Sequence, residues 1–311
     1  MEYNDKLIYD LWLTGIRGIG PAAQHALLDA FGLPSEVYEA SEADLIDAGV
    51  SEKRRKFVLE ARDLDEARRG LERCEKHGIF LMTNRDELYP ENIRYNPDMP
   101  VLLFGKGKRE LFDPDANLGI DFDEEWQPFG PDYEPTEHDW WWVDEPRISC
   151  PHRKIGIVGA RRCSREDKDK CISTVEQLKD NDPSAIIISG GAKGIDGYAH
   201  TAAIKNGLRT IAFAGTGPDL CYPKEHTELF EQICEHGMIL SEYPPGTKAE
   251  PYHFPRRNRL IAGWSDQMYI IGAGRKSGTQ STQRYFEKYH GGRFRSSCAY
   301  FWEEESVEFA T

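Results

Sequence analysis

The chain has 311 residues and a formal net charge of −14, and 39% of its residues are hydrophobic. This composition supports a packed core and excludes wholesale disorder, and the length allows one large domain with an appendage or two domains. No apolar run approaches the roughly twenty residues of a membrane span, and the acidic start MEYNDKLIYD does not resemble a signal peptide. We therefore expect a cytoplasmic protein that does not enter a membrane.

The seven cysteines are scattered singly, without a CxxC pair. An odd set in a chain with no export signal is typical of reduced thiols. Cys150, His152 and Cys163 come nearest to a metal-binding cluster, but their spacing does not fit a zinc site. We expect neither a metal nor a cofactor.

Residues 1–76 are predicted to form a small helical domain. Apolar periodicity indicates helices in NDKLIYDLWLTGIRGIGPAAQHALLDAFG, EADLIDAG and EKRRKFVLEARDLDEARRGLERCEKHG. The hairpin GIRGIGPAAQHAL resembles a helix-hairpin-helix or SAM-like unit, in which glycine amides at a helix N-terminus can bind phosphate. A plain helical hairpin, with glycines for close packing, explains the same residues equally well.

Two short apolar strands, GIFLMT and PVLLFGKG, follow in residues 77–109, which we assign to the next domain. Residues 110–151 are predicted to form an acidic insertion. From Glu110 to Pro146 the chain has thirteen Asp and Glu but no Lys or Arg, and it is rich in Pro, Gly and Trp. A solvated spacer accounts for this composition. The alternative is an acidic strand with tryptophan anchors that mimics nucleic acid or docks a partner protein.

From residue 152 to 311 short apolar strands alternate with amphipathic helices. The strands are KIGIVG, AIIISG, RTIAFAG, MILSEY, QMYIIGAG and a last one within RFRSSCAYFW, and Ser164 with Asp167 predicts the cap of the first helix. The alternation predicts the α/β class: an extended Rossmann-like domain with a mostly parallel sheet and helices on both faces. Ligands of such sheets bind at the carboxyl ends of the strands.

Cations and glycines collect at these strand ends. The loops are GARRCS, SGGAKGID and GAGRKSGT, and the segment HFPRRNRLIAG follows SEYPPGT. Residues 152–311 carry 22 Lys and Arg against 20 Asp and Glu, so the net acidity of the chain lies elsewhere. Each loop alone fits simple packing or a solvated face, and together they predict a phosphate-binding edge.

The motifs GARR, SGGAKGIDGYAH, RTIAFAGTGPDLCYP, LSEYPPGT, HFPRRNRLIAG and KSGT resemble the DNA-processing protein A (Smf) family in order and spacing, over about Lys154 to Thr282. The resemblance implies a protein that binds single-stranded DNA, loads a RecA-type recombinase in natural transformation, forms a homodimer and is not an enzyme. From Gln283 onward the sequence departs from the family pattern. The DNA-binding residues implied by the resemblance are Arg161, Arg162, Ser189, Gly190, Gly191, Lys193, Arg256, Arg257, Asn258, Arg259, Lys276, Ser277 and Gly278.

Phosphate contacts predict binding that weakens with salt and does not depend on base sequence. Tyr198, Tyr252 and Phe254 could stack on bases or could belong to the core. One alternative function is an enzyme that hydrolyses small nucleotides, similar to phosphoribohydrolases. Glu287, the first carboxylate after GAGRKSGTQSTQ, lies too far along its helix for their chemistry. A nucleotide-sensing or interaction module is a further alternative.

Overall fold

The structure is a computed structural model that describes residues 2–112, 152–272, 278–290 and 298–301. Most of the acidic segment 110–151, together with Lys276 and Ser277, lies outside the described residues. None of the helices in the described ranges is long and apolar enough to cross a membrane. The first part of the chain forms helices α1 (Glu2–Gly15), α2 (Pro21–Phe31), α3 (Pro34–Glu39), α4 (Glu42–Asp47), α5 (Glu52–Glu60) and α6 (Asp65–Lys76).

Local sequence explains where these helices begin and end. Pro21 stands in the first turn of α2, and Ser41 caps α4. The third predicted helix is divided into α5 and α6, because the chain turns at residues 61–64. The Trp12 indole of α1 donates a hydrogen bond to the Ala61 carbonyl at 2.6 Å, which fixes α1 against that turn. The six helices share one core, which also covers a face of the first two strands.

A mixed sheet of eight strands forms the centre of the described structure, in the order β1-β2-β6-β5-β4-β3-β7-β8. The strands from β6 to β8 in this order run parallel, whereas β1 and β2 pair antiparallel with each other and β2 pairs antiparallel with β6. The mostly parallel sheet predicted from the sequence is therefore confirmed. The strands are β1 (Phe80–Thr83), β2 (Leu102–Gly107), β3 (Lys154–Gly159), β4 (Ile186–Ser189), β5 (Arg209–Phe213), β6 (Gly237–Ser241), β7 (Gln267–Ile271) and β8 (Cys298–Phe301).

Helices cover both faces of the sheet, because side chains along each strand alternate between them. In β4, Ile187 packs with the core of α7 and α8, whereas Ile186 and Ile188 pack with that of α10 and α11. Ser164 caps α7 through the backbone amide of Asp167, as predicted. These helices are α7 (Arg165–Asn181), α8 (Ile195–Lys205), α9 (Thr227–His236), α10 (His253–Trp264) and α11 (Thr279–His290).

Two features of the sheet position the candidate site. Strands β3 to β6 extend in one direction across the sheet, and β7 and β8 extend in the other, so the order reverses between β3 and β7. Such a reversal opens a crevice at the carboxyl ends of the strands. The second feature was not expected from the sequence. The arginine segment, which follows the strand-end loop SEYPPGT, forms helix α10 beside this crevice.

Candidate nucleic-acid interface

A cavity of about 390 Å³ lies where the strand order reverses. Its walls come from the end of β3, the loop before α8, the first two turns of α10 and the start of α11. It therefore occupies the ligand-binding position expected of a doubly wound sheet. The lining residues are Val158, Gly159, Ala160, Arg161, Ala192, Asp196, Phe254, Pro255, Arg257, Asn258, Ile261, Gly278, Thr279 and Thr282.

Arg257 is the buried cation of this cavity. Only 3% of the residue is exposed, and Nη1 donates to the carbonyl oxygens of Gly190, at 2.5 Å, and of Phe213. Nε is buried without a hydrogen-bond partner among the described residues. Burial lowers the pKa of the Arg257 guanidinium to about 10, so the group remains charged at neutral pH. A buried positive charge in the wall of a cavity is suited to an anionic ligand.

The glycine loop after β4 makes room for this guanidinium. A Cβ atom on Gly190 would lie 2.1 Å from Nη1 of Arg257, so only glycine fits there without moving the arginine. Gly191 is buried and has φ +67°, a conformation that favours glycine. Ser189 is fully buried, and its hydroxyl donates to the Ile157 carbonyl at 2.6 Å. Ser189 therefore holds strands β3 and β4 together and is not part of the cavity wall.

Asp196 places a carboxylate in the same cavity, at the start of α8. Its side chain is 7% exposed and accepts a hydrogen bond from the Ala192 amide at 3.4 Å. Burial raises the pKa of the Asp196 carboxyl, although the Arg257 charge and backbone amides act in the opposite direction. This contact fits the loop-bonding role that a carboxylate near a strand end commonly has. The sequence had not placed it beside the arginines.

The opposite wall comes from the end of β3 and the start of α11. Arg161 is exposed and lines the cavity. The Asn258 amide donates to the Ser281 hydroxyl at 2.9 Å, which joins α10 to α11, and Gly278 lies at the mouth. The Thr279 hydroxyl donates to the last carbonyl of β3 at 3.3 Å. Arg161, Arg257, Asn258 and Gly278 are therefore brought together as the sequence anticipated.

Arg259 and Arg256 have a different environment. Arg259 is 5% exposed and forms a bidentate ion pair with the buried carboxylate of Glu242, with N–O distances of 2.7 and 2.8 Å. Its Nε donates a hydrogen bond to the Asp98 carbonyl. The exposed Arg256 also contacts Glu242, at 3.0 Å. Neither arginine lines the cavity. Expecting all three arginines at one phosphate surface was too simple, because the helical turn of α10 points Arg257 and Arg259 to different neighbours.

Two further candidate cations lie outside the cavity wall. Lys193 is exposed, next to Ala192 in sequence, and its Nζ pairs with the exposed Glu225 at 2.8 Å. Arg162 is exposed beside Arg161. Both remain accessible to a ligand that extends beyond the cavity.

Of the three aromatic residues considered for base stacking, one lines the cavity and two lie outside its wall. Phe254 lines the cavity, whereas Tyr252 is 66% exposed at the start of α10. Tyr198 is half-buried on α8, with Lys168 Nζ 5.0 Å from its ring centroid.

A larger cavity, of about 670 Å³, lies between α1 and the loop after β1. Both of its arginines are already paired with buried carboxylates, Arg85 with Asp10 at 2.7 Å and Arg109 with Asp86 at 2.6 Å. Because its guanidinium groups have partners, we regard the smaller cavity at the strand ends as the candidate site.

Comparison with known proteins identifies relatives of this chain. Residues 145–290 match the family model described as DNA recombination-mediator protein A. Protein Smf of Synechocystis sp. (strain ATCC 27184 / PCC 6803 / Kazusa) is 30% identical over 291 residues, which are 92% of this chain and 63% of that protein. The chain belongs to the DNA-processing protein A (DprA/Smf) family.

Solved structures of family members share the fold. The X-ray structure of DprA from Streptococcus pneumoniae has a TM-score of 0.64 and 25% identity, over 91% of this chain and 83% of that one. A structure of DprA from Helicobacter pylori, described for its single-stranded DNA binding mode, has a TM-score of 0.50 and 26% identity, over 68% of this chain and 77% of that one.

The chain spans less than two thirds of the length of the first two curated relatives. It covers 63% of the Synechocystis protein and 55% of DprA from Streptococcus pneumoniae (strain ATCC BAA-255 / R6), to which it is 34% identical over 197 residues. The activity of this chain is therefore inferred below from its own residues.

Proposed function

We propose that the chain binds single-stranded DNA at the cavity between β3 and β7, through one backbone phosphate held by Arg257 and Arg161. The observation that carries this proposal is the buried guanidinium of Arg257, whose Nε has no hydrogen-bond partner among the described residues. A phosphate in the cavity would neutralise the buried charge of this guanidinium. Asn258 and the Gly278 turn at the mouth of the cavity offer further polar groups to the same ligand.

The remaining cations fit a strand that extends past the cavity. Arg162, Lys193 and Arg256 are exposed, and each could neutralise a neighbouring phosphate. In a single strand, each neutralised phosphate steepens the dependence of log K on log salt by about 0.7. We therefore expect affinity that falls with salt and does not depend on base sequence. The preference for single strands is proposed from the resemblance to the family.

The cellular role that we propose is suggested by the family relationship. A recombination mediator delivers single-stranded DNA to a recombinase, so we propose a RecA-type protein as the partner, in the cytoplasm and during natural transformation. We further propose that the chain acts as a homodimer, as a binding protein and not as an enzyme. The carboxylate in the cavity, Asp196, is engaged with the backbone of its own loop, which supports binding over acid-base catalysis.

We also propose the domain division that the sequence suggested, with the helices of residues 1–76 as one unit and residues 77–109 with 152–311 as the DNA-binding unit. The support is that the buried side chains of the six helices form one cluster, which they share with one face of β1 and β2 but not with the strands from β3 onward.

The experiment is fluorescence anisotropy with labelled single-stranded and duplex oligonucleotides at two salt concentrations, on wild type, Arg161→Ala and Arg165→Ala. Arg165 is the matched control, because it is 95% exposed at the start of α7 and does not line the cavity. We expect Arg161→Ala to weaken single-strand binding about tenfold and to reduce the slope of log K against log salt by about 0.7. Arg165→Ala should bind like wild type. Absent single-strand binding, or equal losses in the two variants, would refute the proposal. Mononucleotides that compete as well as oligonucleotides would favour the small-nucleotide alternative.

A further inference from the structure

Two aromatic rings form a continuous surface that starts at the cavity wall and ends in solvent. Phe254 lines the cavity, and its ring centroid lies 5.2 Å from that of Tyr222, with the ring planes inclined at 41°. Tyr222 lies in the loop between β5 and α9 and is 51% exposed. An exposed tyrosine beside a second ring offers a flat apolar face to a ligand.

The positions of both rings are fixed by their neighbours. Phe254 packs against Gly215, where a Cβ atom would lie 3.0 Å from the phenyl ring, so the glycine allows the ring to approach that loop closely. On the cavity side, the Arg161 guanidinium lies 6.0 Å from the Phe254 ring centroid. The cation proposed to hold a phosphate and the ring of Phe254 are therefore neighbours, and Tyr222 extends the aromatic surface outward.

We propose that Tyr222 and Phe254 stack against bases of the single strand whose phosphate occupies the cavity. This inference rests on the proposed function and adds a second kind of contact to it. Every base has a π-face, so stacking contributes affinity without reading the sequence. Bases inside a duplex are stacked on each other and have no free face to offer. The platform formed by Tyr222 and Phe254 therefore selects single strands, whereas the phosphate contacts do not distinguish them from duplex.

The test compares two ligands of about 12 nucleotides, oligo-dT and a strand of the same length built from abasic sites, on wild type and Tyr222→Ala. Wild type should bind oligo-dT at least tenfold more tightly than the abasic strand. Tyr222→Ala should lose about tenfold on oligo-dT and little on the abasic strand, because the missing ring has no base to contact. The salt dependence should stay that of wild type, since stacking releases no counterions.

Two control variants separate stacking from other causes. Tyr222→Trp should retain oligo-dT affinity, because it keeps an aromatic face. Tyr95→Ala removes a tyrosine that is 70% exposed in the loop between β1 and β2, and it should leave the affinity unchanged. A thermal unfolding curve for each variant checks that the exposed substitutions leave the fold intact.

Each outcome has a distinct meaning. Equal losses of Tyr222→Ala on oligo-dT and on the abasic strand, or no loss on either, would overturn the stacking platform while leaving phosphate binding in place. If wild type binds neither ligand, the proposed function itself fails. A salt dependence that flattens in Tyr222→Ala would also contradict the inference, because it would make the residue part of the phosphate contact.

Discussion

Replacing Gly190 with alanine should disable the cavity by displacing Arg257. The new Cβ would lie 2.1 Å from Nη1 and 2.5 Å from Cζ of Arg257, far inside van der Waals contact. The guanidinium is 3% exposed and its Nη1 bonds two carbonyl oxygens, so it cannot move without breaking these bonds. A hydrogen bond to a charged group contributes about 1.5–3 kcal/mol. We expect Gly190→Ala to lower the free energy of unfolding by about 3 kcal/mol and single-strand affinity at least tenfold.

Urea unfolding gives the stability and anisotropy gives the affinity of the folded protein. Gly15→Ala is the matched control, because a Cβ atom added there would meet nothing within 4 Å. It should lower neither the free energy of unfolding nor the single-strand affinity. Arg257→Met should be strongly destabilising by itself, and adding Gly190→Ala to it should cost little more, because the two changes act on one contact. Wild-type stability and affinity in Gly190→Ala would refute this account of the loop.

Three further predictions concern the carboxylates around the cavity. Glu225→Gln releases Lys193 from its surface ion pair and should raise single-strand affinity about two- to threefold at low salt, an effect that anisotropy should find absent at high salt. Glu242→Gln removes the negative charge that pairs with the buried Arg259 and should lower the free energy of unfolding by about 3 kcal/mol. It also releases Arg256, so the folded protein should bind single strands at least as tightly as wild type; a selective binding loss would contradict this. Burial raises the pKa of Asp196, so acidification should protonate this carboxylate before ordinary carboxylates and strengthen DNA binding. The dependence of affinity on pH should be weaker in Asp196→Asn. If it is the same as in wild type, Asp196 is not the group that causes it.

Local patterns predicted most of the fold. The apolar runs of β3 to β7 and the Ser164–Asp167 cap depend on near neighbours in sequence, and the structure confirms them. Helix α10 was missed because Pro255 and the cluster of arginines obscure a helical period. The second half of the helix, from Arg259 to Trp264, is buried on all sides, so its sequence carries no one-sided apolar period.

The candidate site was predictable as a place but not in its detail. Glycines and cations at consecutive strand ends indicated the edge of the sheet at which the candidate cavity lies, because parallel strands bring those ends together. Which arginine lines the cavity and which pairs with a carboxylate depends on contacts between residues that are distant in sequence. Arg257 meets the carbonyls of Gly190 and Phe213, and Arg259 meets Glu242. Spacing alone does not reveal which arginine is turned toward the cavity.

The most direct test of the central claim is a crystal structure of the chain with a short oligo-dT. We predict a backbone phosphate in the cavity between β3 and β7, with one oxygen about 3 Å from the Arg257 guanidinium and a second contact from Arg161. A strand bound elsewhere, with the cavity left without phosphate, would contradict the claim.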